Sequence, residues 1–150
     1  QKATVREFLS TTFMQERLPL IMDSVVGAGV KHCVIMSAYG VGNTVRSASF
    51  LMRVVCKTIM RSIFRDRAKA DAMVAKYQPY ISRAMPGRLT DKPGKGGAKV
   101  VDVTSVAQVP GIPTIAREDV ADALLSIAGN PLNAGTDFLV TIDDVVLRAT

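Results

Sequence analysis

Residues 27–42, GAGVKHCVIMSAYGVG, decide the fold. Gly27 and Gly29 end whatever helix precedes them. Val30 to Met36 is then a short apolar run containing the β-branched pair Val34 and Ile35, and Gly40 and Gly42 loosen the loop after it. An apolar run without alternation, fenced by glycine, predicts a strand covered on both faces, as in a parallel sheet. Ligands of open α/β sheets gather at the C-terminal ends of such strands. That makes the glycine-loosened loop after Met36 the first place to look for a site.

Working outward, Leu18, Ile21, Met22, Val25 and Val26 recur at helical spacing. They predict an amphipathic helix beginning near Thr12, with Pro19 at a first-turn position or at a kink. Residues 1–11 carry no clear period. Downstream, Arg46 to Tyr77 predicts one short helix and one long one. Arg53, Lys57, Arg61 and Arg65 recur every four residues and would form a basic ridge opposite Met52, Val55, Ile59 and Ile63. Such a ridge fits an anionic surface, and equally the solvated side of an ordinary helix. Tyr80 to Met85 predicts a second strand, closed by Pro86-Gly87 and parallel to the first through a right-handed crossover.

Farther on, Asp91 to Gly97 (DKPGKGG) reads as a turn or mobile loop, and Lys99 to Val103 as a short strand. Val109 to Pro113 is a stiff, non-helical connection. Arg117 to Ala128 predicts a helix with Val120, Leu124, Ile127 and Ala128 inward. Its acids Glu118 and Asp119 occupy the first turn, where the helix dipole favours negative charge. Gly129-Asn130-Pro131 stops it, Phe138 to Ile142 is a last strand, and 143–149 is an unassigned tail.

The chain has 150 residues, enough for one domain with a sizeable core, and 48% of them are hydrophobic against 21% charged. With no Trp and 5% aromatics, that core must be aliphatic. The net charge of +6 points to an anionic partner or simply to solubility. Cys33 and Cys56 fit neither a metal spacing nor a disulfide framework and read as buried thiols of a reducing compartment, cytoplasm or an organellar matrix. His32, the single histidine, argues against a histidine metal site or a Ser-His-Asp triad and reads as a packing or surface residue. No run is long enough to predict a membrane span, and no signal-peptide pattern comes after Gln1.

Three blocks carry a family resemblance: GVKHCVIMSAYGVG, then RAKADAMV with YISRAMPGRL, then IAREDVADALLSIAGNP. Together they resemble the later two-thirds of an atypical short-chain dehydrogenase/reductase, among the NmrA-like and flavin/biliverdin-reductase-like relatives of the Rossmann fold. Arg117, Asp119, Val120 and Ala121 match its arginine-Asp-Val-Ala helix. The resemblance implies an α/β fold, namely the C-terminal portion of a doubly wound parallel Rossmann-like sheet, as a single partial domain over 1–150. It implies NADP or NAD as cofactor. Ser37, Ala38 and Tyr39 would line the nicotinamide edge, with Lys69 or Arg67 near the ribose and Met85, Pro86, Gly87 and Arg88 beside nicotinamide and substrate. Ser37, Tyr39 and Lys69 are the candidate catalytic residues; no metal is implied.

Departures from the family's pattern matter as much. The glycine-rich strand–turn–helix that brings backbone N–H groups to the pyrophosphate does not occur in this sequence. Tyr-x-x-x-Lys is also missing: four residues after Tyr39, Tyr77 and Tyr80 stand Asn43, Ile81 and Ala84. The usual proton relay is therefore absent. Without the first strands, Val30 to Met36 would present a raw edge, which predicts an N-terminal half, a complementary chain or a large assembly completing the sheet. Three functions stand as expectations. One is an NAD(P)H-dependent reductase of a flavin, quinone or similar planar acceptor. The others are a non-catalytic NADP(H) sensor or accessory subunit, and an anion or membrane-surface binder through the basic ridge. Nucleic acid is not an expected partner.

Overall fold

The computed structural model describes residues 12–58 and 60–148. Residues 1–11, Ile59 on the expected apolar helix face, and Ala149 of the tail lie outside them. Helix α1 is Phe13–Gly27, with Pro19 inside it and Leu18 and Met22 buried. Ile21, expected on the inner face, is exposed. Thr12 offers no side-chain cap. The cap comes instead from Asp66, which accepts Met14 N and Gln15 N at 3.2 Å and Gln15 Nε2 at 2.8 Å. Unpaired N–H groups at a helix start need an acceptor, and such a cap stabilises by about 1 kcal/mol.

Strand β1 is Cys33–Met36, four residues long. It starts later than the apolar run because Val30 is still tied to the helix end, its N–H donating to Val25 O at 3.2 Å. Nor is it covered on both faces: Cys33 to Ile35 are half-buried and Met36 is exposed. Cys33 is thus not the fully buried thiol expected, whereas Cys56 is buried. Next come α2, Phe50–Lys57, and α3, Arg61–Met73.

The chain breaks between these helices at Thr58, with φ −110° and ψ −84° and its hydroxyl bonded back to Val54 O at 2.7 Å. Arg53 and Lys57 therefore sit on one helix and Arg61 and Arg65 on another. Arg53 is occupied as well, donating to Ala48 O at 2.8 Å and Arg46 O at 3.0 Å. The predicted continuous ridge does not form.

Strand β2, Ile81–Pro86, pairs parallel with β1, and β7, Asp137–Thr141, pairs parallel with β2. Between them the chain makes β3, Arg88–Thr90, and β4, Lys99–Asp102, then β5, Val106–Gln108, and β6, Thr114–Ala116. Helix α4, Arg117–Ala128, keeps the predicted bounds, although Ala128 is exposed and the inner face is Val120, Ala123 and Ile127. The tail adds β8, Val146–Leu147, antiparallel to β5. The main sheet has the order β1-β2-β7-β4 with β4 antiparallel, and β3 pairs with β6 apart from it.

Alternation along β2 sets the layers. Ile81 packs with Leu18 and Met22 of α1, with Ala70 of α3 and with Val74 just after it, while Met85 joins Met52 and Cys56 of α2. On the opposite face Ala84 packs with Val120, Ala123 and Ile127 of α4. Helices thus cover both faces of a largely parallel sheet, the doubly wound arrangement expected. Beyond β1 no further strand pairs among the described residues.

Candidate functional site

At the C-terminal end of β1, Ser37 N donates to Ala84 O at 2.8 Å and Tyr39 N donates to Pro86 O at 2.9 Å. The run Ser37–Tyr39 is thereby held against the end of β2, with the Ser37 hydroxyl directed to α3. That hydroxyl is buried and donates to Asp71 Oδ2 at 2.7 Å. Arg67, one turn earlier on α3, donates to Ser37 Oγ at 3.3 Å and to Met36 O, and lies 3.4 Å from Asp71 Oδ1. Asp71 Oδ1 has no properly directed hydrogen bond despite that proximity.

The network continues into the sheet. Arg83 on β2 reaches Asp71 at 3.9 Å, donates from Nε to Asp137 Oδ1 at 2.8 Å, and makes a second bond to Asp137 Oδ2. Burial pulls the Arg67 guanidinium below its ordinary value, opposed by the charges of Asp71 and Asp66. Two arginines and two aspartates thus lock α3 to β1, β2 and β7 just below the strand ends. Buried charges of this kind are retained only when paired and hydrogen-bonded.

Above the network lies a cavity of about 250 Å³, whose wall includes Ser37, Ala38, Val41, Arg67 and the apolar side chains of Phe13 and Phe64. It brings together Ser37, Ala38 and Arg67 from the residues singled out in the sequence. Of the two cations left open for the ribose side, Arg67 is the one at Ser37. Lys69, two residues on and so on another face of the helix, is absent from this wall.

Tyr39 is elsewhere too: 2% exposed, it is packed with Met52, Cys56 and Met85, and its hydroxyl meets Ser47 Oγ at 2.9 Å. Burial raises its pKa. It is a core anchor, enclosed away from the cavity. Met85 is also buried and lines a different cavity, of about 290 Å³, beside Asp71, Arg83 and Asp137.

Pro86 is buried at the end of β2. Gly87 could not carry a side chain, because a Cβ there would lie 2.3 Å from Pro113 O. Arg88 turns outward into a third cavity with Lys92 and Lys95. The eight sequence candidates are therefore distributed over several environments. His32 is half-buried, with Nε2 at 2.9 Å from Ser82 Oγ.

Sequence reasoning missed Asp71, Arg83 and Asp137. The spacing Arg67–Asp71 (i, i+4) is a signal for an ion pair, and Arg83 in the otherwise compact strand ISRAMP signals an inward cation needing a partner. Asp137 carried no comparable mark.

The cavity above the network thus combines an apolar wall, a strand end and an arginine held at its rim. Among the described residues no strand-to-helix turn has the Gly-x-x-Gly-x-x-Gly spacing of a pyrophosphate grip. A family model described as NAD(P)H-binding matches residues 6–131. No curated protein matches the sequence.

Several solved structures are similar in fold. A chuY protein from Escherichia coli is 18% identical with TM-score 0.64, over 85% of this chain and 64% of that one. ChuY described as an anaerobilin reductase, from another Escherichia coli strain, is 16% identical with TM-score 0.66, over 87% and 59%. A short-chain dehydrogenase/reductase from Veillonella parvula, solved in complex with NADP, is 14% identical with TM-score 0.67, over 85% and 59%. The chain spans less than two-thirds of the length of each of these structures.

Proposed function

The chain belongs to the NAD(P)H-binding family, and from that premise we propose that it forms the nicotinamide- and acceptor-side part of an NAD(P)H-dependent reductase acting on a planar acceptor. The observation that carries this reading is the Ser37–Arg67–Asp71 cluster, fixed at the ends of β1 and β2 beneath an apolar cavity. Ser37 and Ala38 would border the nicotinamide, Arg67 would face the ribose, and Phe13 and Phe64 would exclude water. The bound cofactor supplies a hydride. The protein's own work is to orient it. A cavity with no tyrosine or histidine among its described wall residues suits acceptors such as flavins or quinones, whose rings take the proton from solvent.

Among the described residues no strand pairs with the outer edge of β1, and a further strand there would complete the sheet, from the same polypeptide or a complementary chain. Its exposed Met36 and the exposed Leu20 and Ile21 of α1 favour such cover. A sensor or accessory subunit is the second reading. It is favoured by the burial of Tyr39, which leaves no tyrosine beside the cavity among the described residues.

The test is NADPH oxidation by the full-length protein with flavin or quinone, together with direct NADPH titration. Arg67→Ala should weaken NADPH binding about tenfold, the loss of one charge-assisted contact, while Lys69→Ala should match the parent. Stoichiometric binding without turnover of any acceptor selects the sensor reading. No binding at all defeats both.

A further inference from the structure

The third cavity, about 190 Å³, opens where β2 gives way to β3. Three cations stand around it: Arg88, Lys92 and Lys95, all exposed and none with a carboxylate partner among the described residues. Arg67, Lys76, Arg83, Lys99 and Arg117, by contrast, are each in an ion pair. Unpaired lysines scattered on a convex helix face are ordinary. Three cations lining one concave space, none engaged by a carboxylate among the described residues, leave several charged donors available to an anion.

The acids nearby keep their charge, but their oxygens are engaged by other donors and are not paired with these three cations. Asp119 is in the cavity wall, but it is 2% exposed and both its oxygens are taken, by Lys95 N at 3.1 Å and Gly96 N at 2.8 Å. Glu118 takes Gly94 N at 2.7 Å. Asp91 is paired with Arg117, and Asp143 accepts Thr114 N at 3.2 Å. The Glu118 and Asp119 bonds also fix the 91–97 loop, for which the sequence left a mobile form open. Lys92 and Lys95 are thereby held on an anchored loop and not on a free one.

Arg88 is anchored from its other side. Its N–H donates to Pro113 O at 2.8 Å, in the contact that requires glycine at position 87. Pro86, two residues earlier, receives the N–H of Tyr39. The basic cavity therefore begins next to the strand ends that carry Ser37 and Ala38.

We propose that the Arg88–Lys92–Lys95 cavity binds an oxyanion, the carboxylate or phosphate group of the acceptor. The proposal rests on the reductase reading and narrows its substrate class to planar acceptors bearing an acidic substituent. An oxyanion could also belong to the cofactor, so the experiment separates the two sources.

Inorganic phosphate is titrated into the full-length protein at low ionic strength, followed by amide chemical shifts, with and without saturating NADP. Expected is saturable binding, with shifts centred on Arg88, Thr90, Lys92 and Lys95, that persists when NADP is bound. Lys92→Ala/Lys95→Ala should weaken it about thirtyfold, since two exposed charges near an anion each contribute about 1 kcal/mol and each 1.4 kcal/mol is about tenfold, and added salt should weaken it further. Both lysines are exposed, so the double variant should fold, and an unchanged melting temperature checks this.

Absence of saturable binding, or equal binding by the double variant, overturns the proposal. Displacement of phosphate by NADP overturns it too, by assigning the cavity to the cofactor. Failure of the reductase reading is seen separately, as absence of NADPH binding or oxidation while phosphate still binds.

Discussion

Replacing Asp71 is the sharpest test of how the site is held. Its carboxylate is 5% exposed and receives the Ser37 hydroxyl at 2.7 Å, with Arg67 and Arg83 at 3.4 and 3.9 Å. Removing one member of a buried ion pair costs about 3–5 kcal/mol, because the charge left behind is uncompensated. Two features place this case at the lower end. Arg83 keeps Asp137, and the side chains of Arg67 and Arg83 retain 15% and 20% exposure, so water relieves part of the loss. Asp71→Ala should therefore destabilise by about 3 kcal/mol. Asp71→Asn keeps an acceptor for Ser37 and should lose about 1–2 kcal/mol.

Urea unfolding of the full-length protein reads this directly. With a slope of about 2 kcal/mol/M, the midpoint should fall by about 1.5 M for alanine and by half that for asparagine. NADPH affinity should fall in both, since Ser37 and Arg67 lose their anchor. An alanine variant within about 0.5 kcal/mol of the parent, as for an ordinary surface substitution, would refute the idea that this network ties α3 to the sheet. So would an asparagine variant worse than alanine.

Two further outcomes rest on buried groups. Burial raises the pKa of the Cys56 thiol, as it does for Cys33 and Tyr39. The folded state therefore holds these protons to higher pH than the unfolded state does. Stability from this source is complete below the ordinary thiol value of 9.0 and is lost as pH rises above it. Melting followed from neutral pH into the alkaline range should show that decline, and Cys56→Ala should flatten it; a rise with pH would contradict the assigned burial. Gly40 has φ +94°, and a Cβ there would stand 2.8 Å from Cys56 Sγ and 3.2 Å from Phe64. Gly40→Ala should cost about 2 kcal/mol or more, from left-handed strain plus overpacking, measured as a lower melting temperature. An unchanged melting point would mean the turn after β1 adapts freely.

Several elements were legible from residues 27–42 outward because their signals are local. The helical period before Gly27, the β-branched run ending at Met36, the Pro86-Gly87 stop and the acid-started helix 117–128 each depend on neighbours within a turn or two. That a short and a long helix fill this stretch was legible, but the position of the break at Thr58 was not, because a four-residue charge period runs across it unchanged. The candidate site was legible only in part. Ser37 and Ala38 are marked by the strand end, but Tyr39 could not be known to turn inward until Ser47 and α2 were in position to receive it.

The doubly wound class came with the family resemblance; what the residues alone determined is the order of the main strands and helices along the chain and the strand end at which the proposed site lies. Hydrophobic period and glycine placement encode these at short range. Tertiary structure decided which charges meet. Asp66 caps a helix about fifty positions away, Arg83 finds Asp137 at a similar separation, and Arg88 joins Lys92 and Lys95 around one cavity. Those partnerships depend on the parallel crossover and on the loop pinned by Glu118 and Asp119. Such long-range geometry leaves no periodic trace in the chain, since a charged residue looks the same in sequence whether it faces water or a buried partner.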